Sequence, residues 1–239
     1  RQAGLSHTGS MSGPNEIYDG VFRQCGIIRA TTITELFDYA LALGTLPRPG
    51  GNRVIILTHS GGPGATAADS CGRAGLALPQ LSPETLDKLK PMIPRTASTA
   101  NPVDLTYNRD FAESFFDIPD VLLSEKDADM LLAYILSPGS FADRILKEMG
   151  VPEESIPLER EKLLKEHSRA FVSLTKRHPG KPIVGFTYRS LQETMVRYLI
   201  DRGVPVYQDP ERAARSMAAV LQYYHKRDRM VREDKTGGV

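Results

Sequence analysis

The feature that most constrains the fold is a continuous apolar run at residues 53–58 (RVIILT), which leads through HSGGPG into a helix-forming segment. A run without alternating polar residues is typical of a strand that is covered on both faces. A strand that passes through glycines into a helix is the first half of a β–α–β unit, whose strands are parallel and whose crossovers are right-handed. The chain is therefore predicted to belong to the α/β class.

Four further segments are predicted to be strands, with helices between them. Helix starts are marked by capping sequences at Thr32–Glu35, Ser82–Glu84, Ser190–Glu193 and Asp209–Glu211. Residues 139–166 are polar and partly helical, and we interpret them as an elaboration of one crossover. About five strands predict a flavodoxin-like, doubly wound parallel sheet, preceded by a short loop and two helices. The predicted strands are residues 53–58, 76–81, 129–136, 182–188 and 204–208.

The best internal boundary is the Pro/Gly-rich segment LPRPGGN. Residues 1–13 are predicted to be a loop at the tail of an upstream domain, and residues 14–50 a helical connection and linker. Residues 51–230 are predicted to form the flavodoxin-like domain, and residues 231–239 to be either disordered or a tail. Because the first residue is arginine rather than methionine, we expect this sequence to be a fragment of a longer polypeptide.

Composition and charge argue against several classes of partner. The chain has 239 residues, of which 41% are hydrophobic and 25% charged, as in an ordinary globular protein. A net charge of +1 gives no general attraction to nucleic acid or to an anionic membrane, and the basic residues from Lys226 to Arg232 are interpreted as a solvated helix end. No apolar run is long enough to span a bilayer, and Cys25 and Cys71 do not have CxxC spacing. We therefore expect a reducing, cytoplasmic location.

The glycine-rich turn HSGGPG is a candidate phosphate-binding site. Gly61, Gly62 and Gly64 would let backbone N–H groups approach an anion closely, next to Ser60 and at the positive end of a helix dipole. No Gly-Lys-Ser/Thr follows, so this is not a P-loop, and Ser60 is not in a GxSxG elbow. A tight turn without a ligand is the alternative interpretation.

The same turn imitates a dinucleotide fingerprint, with glycines at 62 and 64 and alanine at 67. A ribose-binding acid is expected at the end of the second strand, and the predicted second strand, residues 76–81, lacks one. Pro63 also lies inside the turn. Dinucleotide binding is therefore kept as a weaker alternative.

The segment LSHTGSMSG places one histidine, His7, among four hydroxyl side chains and two glycines. A solvated histidine is the ordinary interpretation of such a pattern. A neutral imidazole is also a nucleophile toward phosphorus, and a carrier that moves between two sites needs small, flexible neighbours. The phosphate-binding turn would hold the transferred group at one of these sites, so the two motifs explain each other.

Three motifs in order, SHTGSMSG, GNRVIILTHSGGPGATAADSCGRAGLALPQLS and NPVDLT, resemble the ADP-forming acetyl-CoA synthetases, also called NDP-forming acyl-CoA synthetases, which are relatives of succinyl-CoA synthetase. The resemblance runs from residue 1 to about residue 225. It implies the reversible reaction of acyl-CoA, ADP and phosphate to give an acid, CoA and ATP through a phosphohistidine.

The resemblance implies roles for particular residues. His7 would be the phosphorylated histidine, with Ser6, Thr8 and Gly9 beside it, and the turn at residues 60–64 would be one of two helix N-termini that face the phosphate. Asn101 and Asp104 of NPVDLT would lie near the same crevice, although a turn held by their side chains is an equal alternative. Two positions depart from the family pattern, where alanine commonly replaces Ser10 and asparagine commonly replaces His59.

The resemblance also implies modules outside these 239 residues: a CoA-binding domain, an upstream flavodoxin-like domain with a glutamate that orients the histidine, and an ATP-grasp domain or subunit. CoA, ADP or ATP, Mg²⁺ and the carboxylic acid would bind in the complete enzyme, which is expected to be an oligomer. This chain would bind no cofactor beyond phosphate, and no metal, because no His/Cys/Asp cluster has ligand spacing. The fragment alone would be inactive. The alternative function is a non-catalytic flavodoxin-like domain that binds phosphate or a partner.

Overall fold

The computed structural model describes residues 14–106, 113–136 and 139–236. A five-stranded parallel sheet runs through this part of the chain in the order β2-β1-β3-β4-β5. This is the order of flavodoxin-like folds, and the predicted fold class is confirmed. The strands are β1 (Val54–Thr58), β2 (Val103–Asp104), β3 (Met130–Tyr134), β4 (Ile183–Phe186) and β5 (Val206–Tyr207).

Helices connect the strands and cover both faces of the sheet. Glu113–Asp117 forms a π-helical turn. From residue 139 onward two α-helices with a 3₁₀ turn at Glu153–Ser155 between them form the region that the sequence predicted to be partly helical. The α-helices are α1 (Asn15–Gln24), α2 (Ile33–Thr45), α3 (Gly61–Arg73), α4 (Pro83–Leu89), α5 (Ile118–Leu123), α6 (Gly139–Glu148), α7 (Ile156–Arg177), α8 (Thr194–Ile200) and α9 (Pro210–Thr236).

Strand β1 is buried at every position, which is why its sequence shows no alternation. Ile55 and Leu57 point into the core on one face, among side chains of α4, α5, α7 and α8. Val54 and Ile56 point into the opposite core, among side chains of α2, α3 and α9. The sheet is therefore the middle layer of three, and its strand ends are left at the two edges of that layer.

The predicted strand at residues 76–81 is wrong. This segment makes a single bridge, between Ala77 and Arg53, and the position next to β1 belongs to β2, with Leu57 opposite Val103. Pro79 has no N–H group to donate to a ladder, and this lack works against an extended pairing of that segment. The fifth strand therefore comes from the NPVDLT motif.

Side-chain caps mark the starts of three helices, α2, α4 and α9. The Thr32 hydroxyl accepts from the N–H of Glu35, Ser82 accepts from the N–H of Thr85, and Asp209 accepts from the N–H of Arg212, as the capping sequences predicted. The predicted capping box at residues 190–193 is wrong. There the Ser190 hydroxyl accepts from Gln192 in a local turn, and the helix begins only at residue 194.

Helix α2 is fastened to the C-terminal helix by a buried ion pair. The guanidinium of Arg212 donates to both carboxylate oxygens of Asp38 at 2.7 Å, and Asp38 is only 6% exposed. The hydroxyl of Tyr207 donates to the Asp38 carbonyl at 3.1 Å. The second of the two helices predicted before the sheet therefore forms, and it packs on α9.

Candidate phosphate-binding site

The glycines of HSGGPG lie inside the first turn of α3, because the helix begins at Gly61. Ser60 is the extended residue before it, and the Thr58 hydroxyl accepts from the Ser60 N–H at 3.2 Å. The first N–H groups of a helix have no partner within it. Pro63 has no N–H and Gly64 already donates to the Ser60 carbonyl at 3.3 Å, so Gly61 and Gly62 offer the N–H groups to an anion. The positive end of the α3 dipole also attracts an anion to these N–H groups.

Gly61, Gly62 and Gly64 differ in how much room a side chain would have. A Cβ on Gly64 would lie 3.0 Å from the Thr58 methyl and 3.5 Å from Pro102, so glycine there lets α3 pack closely on β1 and the segment before β2. A Cβ on Gly61 would lie 3.7 Å from Oδ2 of Asp104. A Cβ on Gly62 would meet nothing within 4 Å. A methyl group on Gly62 would therefore contact no protein atom, but it would lie where a ligand approaches the start of α3.

Asp104 lies at the carboxyl end of β2, directly opposite Thr58 of β1. Its Oδ1 accepts from the N–H of Thr106 at 3.0 Å, while its Oδ2 is the atom that faces Gly61. A carboxylate therefore lies beside the N-terminus of α3. The strand that neighbours β1 does end in an acidic residue, so the absence of such an acid is no longer an argument against dinucleotide binding.

The side-chain amide of Asn101 forms hydrogen bonds with the protein backbone rather than facing a ligand site. Its Oδ1 accepts from the N–H of Ile56 at 3.0 Å, and its Nδ2 donates to the carbonyls of Val54 at 2.9 Å and Pro79 at 3.1 Å. Strand β2 pairs with β1 only at Leu57 and Thr58, and the Asn101 amide continues this pairing along the edge of β1. The side chain therefore works here as backbone support.

His59 lies between β1 and α3 and is 7% exposed. Its ring centroid is 6.2 Å from that of Phe115, which belongs to the π-helical turn. Burial lowers the pKa of His59 to about 4, and the Asp104 charge opposes this only in part. His59 is thus a neutral imidazole next to the helix N-terminus. Sequence reasoning missed Phe115, because no motif or spacing links it to the glycine-rich turn.

The buried imidazole predicts a pH dependence of stability. The pKa of His59 is about 4 in the folded chain against 6.5 for an ordinary histidine, so between these values the unfolded chain binds more protons. The contribution of neutral His59 to the free energy of unfolding is therefore complete above pH 6.5 and is lost as the pH falls toward 4. Urea unfolding at pH 7.5 and pH 5.0 should show a loss of about 2 kcal/mol that His59→Asn does not show. Equal losses in both proteins would contradict the buried neutral imidazole.

Several predicted site residues, His7, Ser6, Thr8 and Gly9, lie outside the described residues. Within 14–106, 113–136 and 139–236, no group of three or more His, Cys, Asp or Glu side chains is arranged to hold a metal ion. None of the helices in these ranges is both long and apolar enough to cross a membrane. What the structure does bring together is Ser60, Gly61, Gly62 and Asp104, at the carboxyl ends of β1 and β2.

Comparison with protein families gives a match of residues 1–43 to a model described as "Succinyl-CoA ligase like flavodoxin domain". Over 92% of its length the chain is 31% identical to the alpha subunit of acetate–CoA ligase [ADP-forming] II from Pyrococcus furiosus, covering 44% of that protein. It is 33% identical, over 93% of its length, to acetate–CoA ligase [ADP-forming] I from Archaeoglobus fulgidus, covering 28% of that protein. The chain thus spans less than half the length of these relatives.

Solved structures show the same similarity. A crystal structure of a protein from Pyrococcus horikoshii OT3 matches 90% of the chain with a TM-score of 0.73 and 29% identity, over 45% of that protein. A dinucleotide forming acetyl-coenzyme A synthetase 1 from Ca. Korarchaeum cryptofilum, in complex with phosphate and ADP, matches 97% of the chain with a TM-score of 0.73 and 25% identity, over 46% of that protein.

Proposed function

We propose that this chain, a homologue of the ADP-forming acetate–CoA ligases, is the part of such an enzyme that carries the phosphorylated histidine and one of its two phosphate-binding sites. The observation that supports this most directly is the start of α3, where Gly61 and Gly62 provide the first N–H groups of the helix and the Asp104 carboxylate lies beside Gly61. A helix N-terminus favours a phosphoryl group, and the carboxyl ends of parallel strands are the usual ligand side of such a sheet.

The proposed reaction has three transfers. Phosphate attacks the thioester of an acyl-CoA, the C–S bond breaks, and acyl phosphate and CoA are formed. A ring nitrogen of His7 then attacks phosphorus, the P–O bond to the acyl group breaks, and the carboxylate leaves. Finally a terminal phosphate oxygen of ADP attacks the phosphohistidine, giving ATP and neutral histidine. The residues of α3 would position and stabilise charge without forming covalent bonds.

Asp104 would act on the imidazole rather than on the phosphoryl group. Two anions repel each other at close range, so a carboxylate beside a phosphate site needs a proton donor between them. When one ring nitrogen of His7 carries the phosphoryl group, the other nitrogen carries a proton that Asp104 Oδ2 can accept. This hydrogen bond would select the tautomer and orient the ring, so Asp104 is proposed as a positioning residue.

The complete activity would need further modules, which we propose to be a CoA-binding domain, a second flavodoxin-like domain and an ATP-grasp domain or subunit. CoA, the nucleotide and its Mg²⁺ would bind there. The surface of α1 and α2 supports a neighbouring domain: Ile17, Ile33 and Phe37 are 62, 72 and 70% exposed, and none of the side chains in α1 is buried. The family match covers residues 1–43, which include both helices.

The test is to trap the phosphoenzyme in the assembled enzyme, using labelled ATP and Mg²⁺, and to compare two glycine-to-alanine variants of α3. Gly62→Ala places a methyl group where the phosphoryl group would approach, so we expect at least a tenfold loss of phosphoenzyme formation. Gly72→Ala is the matched control, because it is in the same helix and its Cβ also meets nothing within 4 Å. Both variants should gain about 1 kcal/mol of helix stability.

Equal phosphorylation of the two variants would contradict a phosphate site at Gly62. Label on His7 that is discharged by CoA and a carboxylic acid would support the ligase reaction. If the chain binds phosphate at α3 but no histidine is ever labelled, the chain is a non-catalytic phosphate- or partner-binding domain instead.

A further inference from the structure

A cleft of about 700 Å³ lies between α1, α2 and α9, away from the glycine-rich turn. Its volume is in the range of small-molecule sites in proteins. Ala74, at the C-terminal end of α3, lies in its wall. Helix α3 has 13 residues, so the cleft is about 20 Å from Gly61, at the opposite end of that helix. The cleft is therefore separate from the proposed phosphoryl-transfer site.

The cleft is lined by cationic side chains from three different elements. Arg23 comes from α1, Arg29 from the segment that follows it, and Arg215, Lys226 and Arg229 from α9. His225 adds a further titratable side chain, and no acidic residue is among the described residues that line the cleft. Five positive charges therefore face one volume, although the chain as a whole has a net charge of only +1.

Carboxylates that do not line the cleft form ion pairs with two of these five cations, Arg29 and Arg215. Arg29 pairs with Asp19, and Arg215 pairs with Glu35 and with Glu211. These pairs fix the two guanidinium groups in place rather than removing them from the wall.

The other three cations donate to backbone carbonyls, and among them Arg229 donates to the carbonyl of Arg23 at 3.4 Å. Lys226 Nζ donates to the Ile27 carbonyl at 3.0 Å, and Arg23 Nε donates to the Asp19 carbonyl at 3.2 Å. A carbonyl positions a cation without cancelling its charge, so the positive charge of Lys226 and Arg23 is kept at the cleft.

The rest of the wall leaves room for an apolar or aromatic group. Ala74, Ala218 and Ala219 are small, and they give the cleft its depth between the longer basic side chains. Tyr39 of α2 also lines the cleft and offers an aromatic surface. A ring system and a set of phosphates could therefore be accommodated together.

We propose that this cleft binds a phosphorylated small molecule of nucleotide size, with its phosphates held by the basic side chains of α1 and α9. Guanidinium groups bind phosphate oxygens through two parallel hydrogen bonds, which suits several arginines around one ligand. The proposal does not depend on the proposed ligase activity, because it concerns a separate set of residues. It also gives the basic end of α9 a role other than solvation.

The test is calorimetric titration of the purified chain with ADP, CoA and pyrophosphate. Arg23→Gln and Arg229→Gln should each weaken binding about tenfold, since hydrogen bonds to charged groups contribute about 1.5 kcal/mol or more. Arg227→Gln is the matched control, because Arg227 lies on the same helix, is exposed and is not part of the cleft wall. It should change affinity less than twofold.

Two further comparisons make the result specific. Gly62→Ala should leave this binding unchanged, which separates the cleft from the start of α3. Circular dichroism of each variant shows whether it is folded, and Lys226→Gln replaces any variant that is not.

The proposal is overturned if none of the three compounds binds saturably, or if Arg227→Gln weakens binding as much as Arg23→Gln. It is also overturned if an oligoglutamate peptide binds more tightly than the phosphorylated compounds, because the cleft would then be a docking site for an acidic protein segment.

Discussion

Replacing His7 by glutamine is expected to abolish formation of the covalent phosphoenzyme. Glutamine keeps a hydrogen-bonding side chain but has no nucleophilic nitrogen that can hold a phosphoryl group. Because the proposed route passes obligatorily through phosphohistidine, acyl-CoA-dependent ATP synthesis should fall by at least about a thousandfold, as for other essential nucleophiles. The measurement is acid-labile, alkali-stable label after incubation of the assembled enzyme with labelled ATP and Mg²⁺.

Ser10→Ala provides the matched control for this substitution. It changes another polar side chain of the same segment and removes no proposed nucleophile, so labelling should remain within about twofold of the unchanged protein. If alkali-stable label persists in His7→Gln, His7 is not the phosphorylated residue. A loss of label in both variants would mean that the segment, rather than the imidazole, is required.

Asn101→Ala is expected to lower the free energy of unfolding by about 3 kcal/mol. Three hydrogen bonds are lost, and the N–H of Ile56 and the carbonyl of Val54, both in fully buried residues, lose their Asn101 partner. Leaving buried polar groups unpaired is costlier than losing an exposed hydrogen bond. Urea unfolding of the purified chain would measure the change.

Asn52→Ala is the comparison for this prediction. Asn52 also donates to a backbone carbonyl, that of Gly75 at 3.1 Å, but in an exposed position. Its loss should cost about 0.5 kcal/mol or less. If the two variants have the same stability, the Asn101 amide does not support the edge of β1. In that case the motif NPVDLT keeps Asn101 as a candidate for ligand contact.

The sequence predicted those strands and helices that a short run of residues marks by itself. The apolar run before the glycine-rich turn became β1, and the caps at Thr32, Ser82 and Asp209 start helices. Helix α5 was not predicted, because its six residues are too few to show helical periodicity.

The wrong second strand had a different cause. Residues 76–81 have the apolar character of a strand, but which segment pairs with β1 depends on the rest of the fold. The two residues of β2 pair with Leu57 and Thr58, and the Asn101 side chain bonds the next residue along β1, Ile56.

What the sequence by itself determined is the class of fold, together with the residues that are candidates for the chemistry. A histidine among small hydroxyl residues, a glycine-rich helix start and alternating strands and helices are all properties of short segments, so they are visible without coordinates. The tertiary structure alone decided which of these groups meet. It placed the Asp104 carboxylate against Gly61, used the Asn101 amide to support β1, and brought Arg23 to the same cleft as Arg229. Residues 40 to 200 positions apart are brought together by burial and strand register, and no local periodicity encodes such distances.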